Sequence, residues 1–444
     1  MSPLLRWLLA AAAPLSLLLV LSMAPAIVTR AVSSSAGELR IVYAGETLGY
    51  ISPCGCSKPM IGGMDRRGAL VQRLRRSGPL LLIDTGDLTP ASGRQDEIKA
   101  DTLARMFDAM ACDAIGIGEK DLALGLPALA QLQARTRTPF LAANVRDASG
   151  NPLFLPYVVV RRTVQGKAQS AAIAAVLSPS EARSAGFVSD EFRIDDPDRA
   201  LDAIKPAMMK TNLPILLYHG PRDEAVSAAR RHPWIRMVLY AHGGDAPAPP
   251  LRIGTTVLLC AGSKGKYVGV ASFGKGRSPS AVRHMPLEER WGSDGRIRKL
   301  RTAYQQRLID ERLLEAIPRT PHPSGQEYAG SQACRSCHAG AYDVWRSSRH
   351  AVAMDTLRAE GADRDPECVP CHVTGLQSTG GYAEGRNHLA HVGCESCHGP
   401  AAGHAATGGD PLPARSGPEA CRACHVPDHS PKFQYDAYWS RIRH

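Results

Sequence analysis

The sequence predicts an α/β domain in the middle of the chain, followed by a small C-terminal module of a different kind. Two observations carry this. Between residues 39 and 284 apolar runs alternate with helical stretches, the pattern of strands joined by helices. After residue 325 the alternation stops, and eight of the twelve cysteines gather in four similar pairs. The proline-broken stretch PRTPHPSG (318–325) separates the two regions. A chain of 444 residues can hold two or three domains with cores. The expected divisions are an N-terminal export segment (1–38), the α/β domain (39–285), a helical linker (286–325) and the cysteine-rich module (326–444).

At the N-terminus Arg6 precedes an apolar run over 7–28, and APA (24–26) offers a small-residue cleavage site. The run's 22 residues are also enough to span a bilayer uncleaved. The segment is therefore a signal peptide or a membrane anchor, and either places the rest of the chain in the periplasm or another extracytoplasmic space. Disulfides persist there. The net charge is +11, but Lys and Arg are scattered and aromatics make up 5%, so there is no nucleic-acid-binding stripe. A generally basic surface suits docking of redox partner proteins.

The strands read in order as LRIVYAG (39–45), LLLIDTGD (80–87), DAIGIG (113–118), FLAANV (140–145), ILLYHG (215–220), MVLYAHGG (237–244) and TTVLLCAG (255–262). Helical candidates are MDRRGALVQRLRRS (64–77) and DEIKADTLARMFDAM (96–110). A further helix, LRTAYQQRLIDERLLEAI (300–317), has near-helical apolar spacing and leads into the prolines. Just after the first strand, ISPCGCSKPMIGG places Cys54 and Cys56 with a single residue between them. They can serve as a redox-active pair closed on each other, as soft-metal ligands, or as static thiols or disulfides with Cys112 and Cys260.

The four C-terminal pairs are CRSCH (Cys334, Cys337, His338), CVPCH (Cys368, Cys371, His372), CESCH (Cys394, Cys397, His398) and CRACH (Cys421, Cys424, His425). C-x-x-C-H is the attachment pattern for c-type haem: both thiols bond the porphyrin vinyl groups and the histidine ligates iron. Zinc ribbons would explain the pairs but not a histidine after every one. Four covalent haems are expected. Of the remaining histidines, His350 and His404 are the best distal ligands, with His391 a further candidate and His444 more remote. Two imidazoles make a low-potential electron-transfer haem, and a missing distal ligand leaves iron open to small molecules.

The runs YAGSQACRSCHAGAYDVWRSSRHAVAMDTL, CVPCHVTG and HVGCESCHGPAAGH resemble the cytochrome c-554 type of tetrahaem cytochrome. The resemblance implies a small, mainly helical module that passes electrons between stacked haems. In that family one haem can lack a protein distal ligand.

The central motifs, led by GGMDRRGALVQRLRR and LLLIDTGD and followed by PFLAANV, LLYHG, YAHGGD and CAGSKGKYVGV, resemble the 5'-nucleotidase branch of calcineurin-like metallophosphatases. That resemblance implies a β-sandwich flanked by helices, with the site at strand ends. The family holds two divalent metals that clamp a phosphate ester. Its first-strand Asp-x-His falls on Glu46 and Leu48, and its bridging Asp on Asp87. Its Asn-His pair falls on Glu119 and Lys120, and its later histidines on His219 and His242, with Gly244 in place of the last. A two-metal phosphatase is disfavoured. Inherited hydrogen bonding at strand ends accounts for Asp87, His219 and His242, with one residual divalent metal as the alternative and Glu46 as its fourth ligand. Lys120 is positioned to supply part of a lost metal charge. Electron transfer is the leading function. The alternatives are a haem-carrying phosphohydrolase and a haem oxidoreductase for a nitrogen oxide or hydroxylamine.

Overall fold

The computed structural model describes residues 27–28, 33–34, 37–54, 60–186, 191–274, 278–410 and 416–444. Most of segment 1–38 lies outside the described residues, as do Cys56 and the side chain of Cys54, so the dithiol is not described. Among the described residues no helix is long and apolar enough to cross a membrane.

Two sheets form the central region. The first contains β1 (Leu39–Ala44), β2 (Leu80–Asp84), β3 (Ala114–Gly116) and β4 (Phe140–Leu141), all parallel. The second is built on β5 (Tyr157–Val164), β6 (Lys167–Leu177), β7 (Leu213–His219) and β8 (Met237–Tyr240). The outer strands are β9 (Leu251–Ile253) and β10 (Thr256–Leu259) on the second sheet, and β11 (Tyr267–Phe273) and β12 (Ala281–Pro286) on the first. Strand order is β12-β11-β1-β2-β3-β4 in the first sheet; in the second it runs β5-β6-β7-β8-β10-β9, with Ile27–Val28 beside β5.

Residue alternation divides the core into layers. Ile41, Tyr43, Leu81 and Ile83 face Ile173, Ile215 and Leu217 between the sheets. Val42 and Leu82 face outward, against α1 (Met64–Arg76) and α2 (Arg94–Ala109). Leu216 and Tyr218 meet the helix Pro197–Met208 on the other side. Because the parallel strands are covered on both faces, they read as unbroken apolar runs. The hairpin β5–β6 is absent from the expected strands, although YVVVRRTV in β5 carries a plain strand signal; in β6 AAIAAVL is rich in a helix-forming residue, and packing between two layers overrides that propensity.

The helix expected over 300–317 is α3, Gly295–Asp310. It starts earlier because the Asp294 side chain caps Arg296 N (2.9 Å), and it stops before Arg312, which takes φ 53°. Ile297, Tyr304 and Leu308 join the core beneath α1 and α2.

Beyond α3 the chain forms short helices and 3₁₀ turns, including Ala339–Arg346 and Ala353–Glu360. A small apolar cluster unites Leu314, Met354, Val369, Val373, Leu376 and Leu389. Glu395, buried inside CESCH, accepts hydrogen bonds from Ala329 N (2.9 Å), Gly330 N (2.7 Å) and Ala401 N (2.9 Å). It ties the first and third motifs together through the backbone.

Candidate functional site

The carboxyl ends of the parallel strands converge, the usual place for a site in an α/β sheet. β2 runs into Asp87, β3 into Glu119 and Lys120, β7 ends on His219, and β8 leads to His242. One ligand atom from each of Asp87, Glu119, His219 and His242 lies within 4.8 Å of the others. Asp87, Glu119 and His219 are buried, and His242 is partly open. Asp87 (φ 55°), His242 (φ 55°), Glu46 (φ 46°) and Leu48 (φ 50°) all adopt left-handed backbone, a concentration of strain characteristic of functional strand ends. Gly118 permits the approach: a Cβ there would lie 2.1 Å from Asp87 Oδ1 and 2.4 Å from His219 Cε1.

The His219 ring is fixed by Nδ1–H donating to Thr85 O at 2.8 Å. That leaves Nε2 facing Glu119 Oε2 (3.0 Å) and Asp87 Oδ1 (3.5 Å). These contacts are close but poorly directed, and buried Nε2 has no oriented hydrogen-bond partner. A backbone carbonyl on one ring nitrogen, with the other aimed at carboxylates, is the arrangement of a metal-ligating histidine. His242 Nε2 lies 3.2 Å from the same Glu119 oxygen. Both imidazoles hold a proton more tightly than a free imidazole does. Burial opposes this, but Asp87 and Glu119 outweigh it at His219, and Glu119 does so at His242. Two carboxylates and two imidazoles fit one divalent transition metal.

Sequence reasoning treated the Glu119 position as a lost Asn ligand and offered Glu46 as the fourth. The structure reverses these roles. Glu119 enters the cluster, and Glu46 stands behind it, accepting a hydrogen bond from His242 N (3.0 Å). The signal was present, since a carboxylate replacing an amide remains a ligand. Lys120 Nζ contacts Asp87 Oδ2 (2.8 Å) and also the Glu119 carboxylate. Cys112 and Cys260 stand as free, buried thiols.

In the C-terminal module three attachment histidines face a second imidazole. The ring centres are 6.1 Å apart for His338–His404, 6.2 Å for His350–His425 and 5.9 Å for His398–His444. Imidazoles bound to opposite faces of one metal, at metal–nitrogen distances of about 2 Å, stand roughly 6 Å apart. Four of the rings have Nδ1 engaged: His372 with Ala353 O (2.7 Å), His404 with Gly409 O (2.7 Å), His425 with Ser430 Oγ (3.0 Å) and His444 with Ile442 O (3.1 Å). Nε2 is thereby left for iron. The donor set and spacing fit haem.

His350 and His404 occupy opposing positions. His391 does not: its Nδ1 accepts a hydrogen bond from Met354 N (3.2 Å), and among the described ring pairs it faces no attachment histidine. His444, which sequence reasoning left remote, is the ring that faces His398. Among the described ring pairs His372 has no opposing imidazole. The thiols of Cys334 and Cys394 are in contact, as are those of Cys371 and Cys424, so the motifs alternate in space. Cys397 neighbours Cys421.

The features define a metallophosphatase-type sandwich fold joined to a module that resembles a c-type cytochrome. Residues 333–399 match the family described as cytochrome c554 and c-prime. The module is 36% identical over 90 residues to cytochrome c-554 of Nitrosomonas europaea, covering 16% of this chain and 38% of that protein. The central region has the fold of 5'-nucleotidases and calcineurin-like phosphoesterases. It is similar to a 5'-nucleotidase precursor from Thermus thermophilus, with TM-score 0.54, 20% identity and coverage of 73% of this chain and 68% of that one. It is also similar to the sulfate thiohydrolase SoxB of Thermus thermophilus (0.52, 18%, covering 63% and 62%) and the phosphoesterase YfkN of Bacillus subtilis (0.51, 18%, covering 61% and 97%). At these identities the likeness is one of fold.

Proposed function

We propose that this chain is an exported electron-transfer cytochrome with four covalent haems, fused to a metallophosphatase-like domain with a single divalent-metal site. The observation that carries the cytochrome reading is the set of three imidazole pairs at the separation one iron requires. Haem supplies reversible one-electron chemistry; the protein's part is to hold and orient its ligands. Cys334, Cys337 and His338 hold the first haem with His404 opposite, and Cys368, Cys371 and His372 hold the second. Cys394, Cys397 and His398 hold the third opposite His444, and Cys421, Cys424 and His425 hold the fourth opposite His350. The thiol contacts support the spatial order first, third, fourth, second. Redox proteins are the partners this reading requires, and export follows from the N-terminal segment.

In the central domain Leu48 and Gly244 stand where the second metal's ligands would be, and Lys120 stands in place of a catalytic histidine. This supports one metal bound by Asp87, Glu119, His219 and His242 and argues against two-metal ester hydrolysis. Elemental analysis should find four irons and one further divalent ion per chain, the latter lost in His219→Ala. Nucleotide turnover by the full-length protein would overturn the non-hydrolytic reading. His372, lacking an opposing imidazole among the described ring pairs, favours a second reading, a haem that binds a nitrogen oxide or hydroxylamine. A high-spin ferric signal that hydroxylamine perturbs would support it, and four low-spin haems would refute it.

A further inference from the structure

The second attachment turn is held by the central domain. Asp365 is 6% exposed and caps this turn: its backbone carbonyl accepts from Cys368 N (3.0 Å) and Val369 N (3.0 Å), and its side chain accepts from Glu367 N (3.0 Å). The same carboxylate accepts from Gln95 Nε2 on α2 (2.8 Å) and Gln305 Nε2 on α3 (3.0 Å). Buried Tyr304, also on α3, receives a hydrogen bond from Gln95 Nε2 (2.9 Å). Lys99 of α2, its side chain 5% exposed, forms an ion pair with Glu367, the residue before Cys368.

The other side of Lys99 leads to the metal-type cluster. A Cβ on Gly49 would lie 3.0 Å from Lys99 Cδ and 3.1 Å from Nζ, so the ammonium lies directly over this glycine. Gly49 N donates to Leu88 O (2.6 Å) and Leu48 N to Asp87 O (3.0 Å). Lys99 therefore bridges the loop laced to Asp87 and the turn that carries Cys368. A buried cation in low dielectric acts strongly on a nearby charge.

We propose that the central domain is an ion-responsive gate on the haem chain: a divalent cation at Asp87, Glu119, His219 and His242 raises the reduction potential of the haem held by Cys368, Cys371 and His372, through the Lys99–Glu367 joint. This rests on the single-metal reading above and adds which haem senses the ion. A cation stabilises the reduced, less positive iron, which fixes the sign. The potential of the spatially terminal haem then sets whether electrons enter or leave there. A separate contact, Lys264 Nζ to Asp428 Oδ1 at 2.7 Å, reaches the segment after the fourth motif and provides a control.

The test is a redox titration of the full-length, haem-loaded protein, followed by visible and electron paramagnetic resonance spectra, with the His372 haem identified as the component altered in His372→Ala. Lys99→Gln should lower the midpoint of that haem, Glu367→Gln should raise it, and Lys99→Arg should leave it in place. Lys264→Gln should not move it. Variants are compared at equal haem content, and the arginine variant separates loss of charge from loss of packing. Shifts of the same sign from the two neutralising variants, or shifts confined to a haem other than that of His372, overturn the joint. Zinc added to the ion-stripped protein should raise the same midpoint, by less than half as much in Lys99→Gln. Zinc bound at one per chain with no shift, or a shift of the His425 haem, overturns the gate. A protein that binds no zinc refutes the single-metal reading and the gate with it, while the paired variants still decide the joint.

Discussion

The two halves of this molecule achieve a defined structure by opposite means. The central region fills its own interior: three layers of Val, Leu, Ile and Ala close over two sheets, with strands such as Leu213–His219 buried along their whole length. In the haem module the buried apolar side chains reduce to a small group around Met354, Val369 and Leu389. A chain with so few cannot fold on hydrophobic burial of side chains alone. On the proposed reading its interior would be the porphyrins, and its sequence would be given over to attaching, ligating and tying loops. Low apolar content there is what a cofactor-filled core predicts.

That contrast can be broken most severely at attachment. Cys394→Ala with Cys397→Ala should remove one haem by mass and collapse the module, while the unfolding transition of the central region persists. If the module keeps its helical signal, side chains and not porphyrins form its core.

The central region should respond most to its buried charges. Arg67 is fully buried, with Nη1 3.2 Å from Asp84 Oδ2 and Nη2 3.3 Å from Thr47 Oγ1. Arg67→Met leaves the Asp84 carboxylate uncompensated and should cost about 3–5 kcal/mol in denaturant unfolding of that region. Retention of wild-type stability would show that Asp84 takes up a proton instead.

In the module the corresponding staple is Glu395. Glu395→Gln keeps the shape but supplies one fewer acceptor oxygen to three backbone N–H groups, and should cost roughly 2–3 kcal/mol of module stability. No loss would mean that the haems alone hold the first and third motifs together.

Smaller still are the ligand changes. His444→Ala should convert one low-spin haem to high-spin, as should His350→Ala and His404→Ala, with little change in folding. His391→Ala should leave every spin state as it was. A high-spin conversion in His391→Ala would restore it as a ligand.

The difference between the halves also explains what could be read without a structure. The strands were legible because layers on both faces make each one a continuous apolar run, and the four C-x-x-C-H motifs because both thiols and the histidine sit within five residues of each other. Strand β6 was not, because alanine carries no strand signal until two sheets close around it, whereas the Val-rich β5 carried a signal that went unused. Glu119 was discounted because the position was matched to a family's amide, when the chemistry of a carboxylate still serves a metal.

By itself, then, the sequence determined which cysteine pairs carry a following histidine and which segments are strands, since both depend on neighbours along the chain. Only the tertiary structure decided which histidine faces which. His444 meets His398, His404 meets His338, and His391 turns instead to a backbone amide at Met354. Only the tertiary structure brought Lys99 between Gly49 and Glu367. Ligand pairs and ion pairs form at fixed distances between residues far apart in the chain, and those distances are set by how packed elements close on one another, which no local pattern encodes.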